Sequence, residues 1–240
     1  MSFAPPRSEA PAPAIGWDGS YWEGRVQSLA SGDLVAALRS IDDGDTYAHC
    51  VRVGGLTVAI ARRMGVESTE RAYEAGLYHD LGKIAVPLPV LLKPGKLDEE
   101  ERALIELHAE ESARLLRAAG RHQLAGLVAE HHERLDGSGY PYGRREDELC
   151  LTGQIVGVAD VYDALTSDRP YRPALSRRAA IEIMHKQAGA QLANRIVEAL
   201  EDVLESEPMV EPAAKLAAAL ALLGPAMSDD YYTAYSMENA

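Results

Sequence analysis

Two adjacent histidines stand at the end of an apolar stripe and run straight into a glycine-rich turn: His131-His132-Glu133-Arg134-Leu135-Asp136-Gly137-Ser138-Gly139-Tyr140-Pro141. Neighbouring residues on a helix point about 100° apart, so two such imidazoles reach one site only from the edge of a face. Leu124, Leu127, Val128, His131 and Leu135 fall at helical spacing on one stripe, and His132 lies one turn beyond Val128. Paired imidazoles closing an apolar helix suit a buried metal site. Taken alone, the stretch fits two partly buried histidines equally well.

Other segments carry the same residue types. Asp45 and His49 are four apart and share a face if Asp45 begins a helix over Thr46 to Met64; a lone pair of this kind is commonly a cap. His79 and Asp80 end an apolar segment, with Gly82 as a helix-terminating residue and Lys83 one turn away, able to reach a phosphate. The plain alternative there is a capped helix end with an Asp–Lys pair. His108 shares a stripe with Leu104 and Leu115 and by itself reads as a packed core histidine. Asp160 sits among small and apolar residues, where an unpartnered carboxylate is expensive, and Asp163 is one turn further on the same side. Five of seven histidines thus occupy helix ends or apolar stripes, together with Asp80 and Asp160. Packing alone does not account for so many costly groups; ligation of a metal cluster does. Imidazole with carboxylate suits Fe, Mn or Zn, and the lack of cysteine ligands argues against a purely structural zinc. Such a pocket, with Lys83, Arg169 and Arg172 nearby, selects an anionic substrate.

The elements that position these groups are helical. Ala-, Leu- and Glu-rich segments at helical spacing dominate, strand signals are scarce, and 47% of residues are apolar, so an all-α domain is expected. Residues 1–23 read as a disordered proline-rich leader, with Trp17, Tyr21 and Trp22 capping the core; 24–207 as the domain; and 208–240 as a short Ala/Leu helix with an acidic, tyrosine-containing tail. Pro87, Pro89 and Pro94 forbid a regular helix over 87–96. Asp98 and Glu101 form a capping box opening one long helix to about Ala119. The next helix runs from about Arg121 to Leu135, another opens at Thr152, and Ser176 caps one ending near Gly189; a last one spans about 194–204. His122 and His185 read as solvated, Cys50 as a packed apolar residue, and Cys150 as a loop residue without a visible role.

The net charge of −13 argues against nonspecific DNA or RNA binding and against anionic membranes. Two cysteines make no disulfide framework, no secretion signal is visible, and the longest apolar run, Leu216 to Leu223, is too short to span a bilayer; a cytoplasmic protein is expected.

From about Asp45 to Leu204 the chain resembles the HD-GYP family of phosphodiesterases within the HD hydrolases. The resemblance rests on His79-Asp80-Leu81-Gly82-Lys83, His108, the His131–Pro141 stretch, Asp160-Val161-Tyr162-Asp163-Ala164-Leu165-Thr166-Ser167 and Arg169-Pro170-Tyr171-Arg172. It implies an HD-type helical bundle around a central metal cluster that hydrolyses cyclic di-GMP to linear pGpG or on to GMP, through a hydroxide bridging two metals. By position, it implies that His49, His79, Asp80 and Asp160 hold one ion and that Asp80 bridges to a second held by His108, His131 and His132. Some members add a third ion through a glutamate four residues before the first histidine; here that residue is Asp45, one methylene shorter, which leaves two or three ions, Fe or Mn, open. Asp80 and Lys83 are the implied catalytic pair, with Lys83 at the scissile phosphate. Tyr140, Arg169 and Arg172 hold the dinucleotide, and Asp163 orients Arg169. Another cyclic dinucleotide or nucleotide phosphoester as substrate, and a weakly active adaptor binding a partner through the Gly-Tyr-Pro loop, are the competing readings; the oligomeric state, a dimer included, is open.

Overall fold

The helical periodicity of the sequence becomes helices throughout, and no strand occurs among the described residues. The computed structural model describes residues 33–206 apart from 42–43 and 169–171. The expected leader, the aromatic trio Trp17, Tyr21 and Trp22, the helix and tail over 208–240, and Arg169 therefore lie outside the described residues.

In chain order the helices are α1 (Leu34–Arg39), α2 (Thr46–Arg63), α3 (Thr69–Tyr78), α4 (Leu88–Leu91), α5 (Glu99–Glu106), α6 (His108–Ala118), α7 (His122–Val128), α8 (Leu151–Thr166), α9 (Arg177–Gln187) and α10 (Asn194–Ser206). A 3₁₀ turn, Leu81–Ala85, follows α3, and a second one, Glu146–Glu148, precedes α8. None of these helices is long and apolar enough to cross a membrane.

Helix α2 is the axis of the bundle and packs against α3, α8 and α10. It meets α3 closely because Gly54 faces Gly76: a Cβ on Gly76 would stand 2.7 Å from the Gly54 Cα. Ile60, Leu81, Ile84, Leu116, Ile155, Met184, Ile196 and Leu200 are fully buried and draw every main helix into one core. Helix α8 is buried on most of its circumference, from Gly153 through Val156 and Ala159 to Tyr162, as expected of a central helix. Asp160 and Asp163 are thereby carried into the interior.

Several boundaries differ from the sequence reading, each for a local reason. The long helix from Asp98 is two helices, α5 and α6, that meet at Leu107. Its capping box is present, with Asp98 accepting from Glu101 N and Glu101 from Asp98 N, both at 2.9 Å. The segment 87–96 does contain a short helix, α4; Pro89 falls in its first turn, where the missing N–H costs nothing. Helix α8 is capped by Cys150 rather than Thr152: Cys150 Sγ accepts from Gly153 N at 3.2 Å, so this residue does have a role. Ser176 caps α9 as expected, accepting from Ala179 N at 3.3 Å. Helix α7 ends at Val128, and His131 and His132 lie beyond it in a turn.

Candidate metal centre

Helix ends explain where three of the histidines sit. The last carbonyls of a helix have no intrahelical partner. His79, one residue past α3, donates Nδ1–H to Gly76 O at 2.7 Å. His108, two residues past α5, donates to Ile105 O at 2.6 Å. His131, three residues past α7, donates to Val128 O at 2.6 Å. In each case the ring binds the carbonyl three residues back. A carbonyl only accepts, so Nδ1 carries the proton and the Nε2 lone pair points away from the helix. His49, inside α2, is set the same way by a carboxylate: Asp163 Oδ2 lies 2.7 Å from its Nδ1.

The four Nε2 atoms converge. His49 Nε2 is 3.1 Å from Asp160 Oδ1 and 3.6 Å from Asp80 Oδ2. His79 Nε2 is 3.3 Å from Asp80 Oδ2 and 3.8 Å from Asp160 Oδ1. His108 Nε2 is 3.1 Å from Asp80 Oδ1 and 3.2 Å from His131 Nε2. The two oxygens of Asp80 therefore face different histidines. Ligand atoms of His49, His79 and Asp80, of His108, His131 and His132, and of His79, His131 and Asp160 each lie within 4.8 Å of one another. His49, His79, Asp80, His108 and His131 are almost fully buried.

This donor set fits divalent cations. The buried Nε2 of His79 has no hydrogen-bond partner. The Nε2 atoms of His108 and His131 confront each other at 3.2 Å while both rings give their Nδ1 protons to carbonyls. Two facing lone pairs repel unless a proton or a metal ion lies between them, and imidazole with carboxylate is a transition-metal set.

The electrostatics agree. Burial opposes the charge of Asp80, yet Lys83 and His79 hold its carboxyl well below the usual range. Burial likewise opposes Asp160, which His49 keeps ionised. Burial and the neighbouring imidazoles push the pKa values of His131 and His132 down, leaving neutral ligands. Burial also works against a charge on His49, but Asp160 and Asp163 on either side of its ring raise its pKa to about 9. Metal-free protein therefore carries a proton on His49 at pH 7, and ligation through Nε2 must expel it. Metal uptake at pH 7 is expected to release that proton, with affinity rising with pH until His49 deprotonates by itself. Calorimetric titrations in buffers of different ionisation enthalpy read the proton count.

The remaining site residues are placed as follows. Lys83 Nζ is 2.6 Å from Asp80 Oδ2. Tyr140 stacks on His132 with ring centroids 4.5 Å apart. Arg172 lines the same pocket, but its fork caps α8, donating to Ala164 O at 2.7 Å and Leu165 O at 3.1 Å. Asp45 occupies the N-cap position of α2 without a side-chain capping bond; its carboxylate is 41% exposed, lies 3.5 Å from Arg52 Nη2 and is not in the converging groups. Asp163 serves His49 and the Arg52 guanidinium, whose Nε is 2.7 Å from its Oδ1. Its expected partner Arg169 lies outside the described residues. An Asp163→Ala variant is expected to bind metal roughly 10- to 100-fold more weakly, because a ligand histidine loses its orienting partner. Metal titration of apo protein, with circular dichroism as the fold control, checks this.

Sequence reasoning assigned no role to Arg52, Ser112, Glu130, Glu133 or Arg134. Arg52 is one turn from His49 on α2, so the i, i+3 relation was a readable signal. Ser112 joins two site segments, accepting from Gly82 N and donating to His79 O, both at 2.7 Å. Buried Glu133 accepts from Tyr142 N at 2.7 Å and Arg144 N at 2.9 Å; Glu130 accepts from Arg144 Nη1 at 2.7 Å and Cys150 N at 2.9 Å. Together they fold the loop that carries Tyr140 back over the histidines. His122 and His185 are exposed, the latter paired with Glu201 at 3.0 Å, and Cys50 is buried in the core.

Comparison with known proteins places the chain in a family. Residues 38–196 match the family described as HD domain. A cyclic di-GMP phosphodiesterase of Pseudomonas aeruginosa is 42% identical over 61% of this chain and 36% of its own length. The cyclic di-GMP phosphodiesterase response regulator RpfG of Xanthomonas campestris pv. campestris is 42% identical over 66% of this chain and 43% of its own. A 3'3'-cGAMP-specific phosphodiesterase of Vibrio cholerae is 37% identical over 73% and 39%. The chain thus spans about two fifths of the length of these relatives. In fold it is similar to an HDG"Y"P protein from Bdellovibrio bacteriovorus, with a TM-score of 0.57 at 19% identity over 81% of this chain and 75% of that one. Seven histidines and aspartates converging from five segments of an all-α bundle, and a match that encloses all of them, lead to one conclusion: the chain belongs to the HD domain family.

Proposed function

We propose that this chain is a metal-dependent phosphodiesterase of the HD-GYP branch that hydrolyses cyclic di-GMP to linear pGpG, or on to GMP. The observation that carries the reading is the convergence of four Nε2 atoms with the carboxylates of Asp80 and Asp160, beside a cavity of about 470 Å³ that Lys83, Arg134 and Arg172 also line. His49, His79, Asp80 and Asp160 would hold one ion, and Asp80 with His108, His131 and His132 a second. Asp45, tied to Arg52 outside the converging set, favours two ions over three. The donor chemistry favours Fe or Mn. Bound divalent ions supply an activated water nucleophile and neutralise charge growing on the phosphoryl oxygens.

The chain's own residues do the rest. Asp80 keeps the two histidine sets in register through its two oxygens. Lys83 stays protonated: burial opposes its charge, but contact with Asp80 raises its pKa, so Nζ can bind a phosphoryl oxygen or give a proton to the leaving oxygen. Tyr140, fixed over His132, offers a ring for a base to pack on. Val161, Ala164 and Leu165 supply an apolar wall. Arg169 is proposed to join this surface. Two free cysteines, Cys50 and Cys150, suit a reducing cytoplasm. Exposed Tyr142, in the loop that carries Tyr140, is where a protein partner would meet the Gly-Tyr-Pro turn.

A relative named for 3'3'-cGAMP makes that dinucleotide the second reading. The test is turnover of cyclic di-GMP, 3'3'-cGAMP and cyclic di-AMP by protein purified anaerobically and loaded with Fe(II) or Mn(II), metal content being counted on the same sample. Preferred cleavage of cyclic di-GMP, abolished by a chelator, is the expected result. Preference for 3'3'-cGAMP moves the assignment to the second reading, and no turnover at full occupancy overturns both.

A further inference from the structure

Among the described residues, one lysine and two arginines line the pocket beside the metal centre, and their hydrogen bonds set them apart. Lys83 is committed to Asp80, with Nζ 2.6 Å from Oδ2. Arg172 has both terminal nitrogens on backbone carbonyls: Nη2 on Ala164 O and Nη1 on Leu165 O at the end of α8, with Nη1 also on Pro173 O in the loop beyond it. Arg134 is different. Its Nη1 donates to His131 O at 3.1 Å and Glu133 O at 2.8 Å, which pins the guanidinium to the turn that carries the paired histidines. Its Nε and Nη2 have no protein partner among the described residues, and no carboxylate pairs with it within 4 Å.

A half-buried guanidinium without a carboxylate is an unusual holding. Placing a cation partly out of water without a carboxylate in hydrogen-bond contact is costly. One nitrogen is spent on orientation, and the residue lines the cavity with the other edge of its fork unpaired among the described residues. Planar, pre-oriented N–H pairs of this kind suit the two oxygens of a phosphodiester. Arg134 and Lys83 also address different parts of the centre. Lys83 touches Asp80, whereas Arg134 is held by the carbonyls of His131 and Glu133 in the histidine turn. A cyclic dinucleotide has two phosphodiesters, of which only one can lie at the ions at a time.

We infer that Arg134 forms a subsite for the phosphodiester that is not being cleaved, and so selects cyclic dinucleotides over substrates with one phosphate. The inference rests on the cyclic-dinucleotide reading of the preceding section. It makes Arg134 a binding and specificity residue; the bond cleaved and the water consumed are those of the proposed hydrolysis.

The test compares wild type, Arg134→Gln and Arg134→Lys on cyclic di-GMP and on bis(p-nitrophenyl) phosphate, a diester with a single phosphate, with metal content measured for each protein. Loss of a charge-assisted bidentate contact should raise KM for cyclic di-GMP by about 10- to 100-fold in Arg134→Gln. The change on bis(p-nitrophenyl) phosphate should be several-fold smaller, metal content should hold, and Arg134→Lys should recover part of the loss. An unchanged KM for cyclic di-GMP overturns the subsite. Equal losses on both substrates, or a fall in metal content, also overturn it and make Arg134 a brace for the histidine turn. Wild type that cleaves bis(p-nitrophenyl) phosphate but no cyclic dinucleotide overturns the substrate reading itself, an outcome visible before any variant is made.

Discussion

Asp80→Ala is expected to bring phosphodiester turnover to background, a fall of at least about a thousandfold, and to empty the centre of metal. The size follows from the geometry. The two oxygens of Asp80 face His49 and His79 on one side and His108 on the other, so its loss takes a ligand from both halves of the cluster. Metal catalysis is worth several kcal/mol, and each ~1.4 kcal/mol is a factor of ten in rate. The variant also strands Lys83, whose partner is gone. Because the Asp80 pKa is depressed, its charge stabilises the metal-free fold above the usual carboxylate range, and that contribution fades as pH falls through the lowered value. Asp80→Asn separates the two effects: it keeps the volume but ligates poorly, so turnover and metal content should vanish while the thermal transition moves less than in the alanine variant. Retained metal and turnover in both variants would overturn the assignment of Asp80.

Gly82→Ala should do comparable damage without touching a ligand. A Cβ there would meet His108 O at 2.0 Å and Ser112 N at 2.5 Å, both backbone atoms of α6. No rotamer relieves such a clash; α6 must move away from the 3₁₀ turn. That movement breaks the Ser112 hydroxyl bridge and carries His108 off its partners. Overpacking against rigid backbone costs about 3 kcal/mol, and for a chain of this size the melting temperature should fall by roughly 10 °C. Metal content should drop in the same protein. Gly55→Ala is the control: it lies in α2 with nothing within 4 Å, and alanine there should raise stability by up to about 1 kcal/mol. Equal melting temperatures for the two variants would show that the close approach is not there.

Much of the candidate centre was legible because its residue types are chemically out of place. His49, His79, His108, His131, His132, Asp80 and Asp160 announce themselves as polar groups on apolar stripes, and the structure brings all seven together. What stayed hidden depends on contacts across the bundle. Gly82 reads as a helix terminator in one dimension; its real constraint, the approach of α6, is a distance between segments 26 or more residues apart. The sequence reading assigned Asp163 to Arg169, and its pairing with Arg52 shows only once α2 and α8 are packed side by side. Helix ends were misjudged where a histidine takes the carbonyl that continued the pattern, as at His131 after α7. Periodicity reports which face is apolar and not which carbonyl a side chain has claimed.

That last point bears on how the ions come and go. A ring already clamped to the carbonyl three residues back has its rotamer fixed before any ion arrives, so little side-chain entropy is left to lose on ligation. The clamp also works in reverse. His79, His108 and His131 cannot swing aside without giving up the bond from Nδ1–H to a carbonyl at the end of α3, α5 or α7. On the proposed two-ion reading, exit of an ion that needs one of these rings to turn is therefore expected to be slowed by the cost of that broken bond.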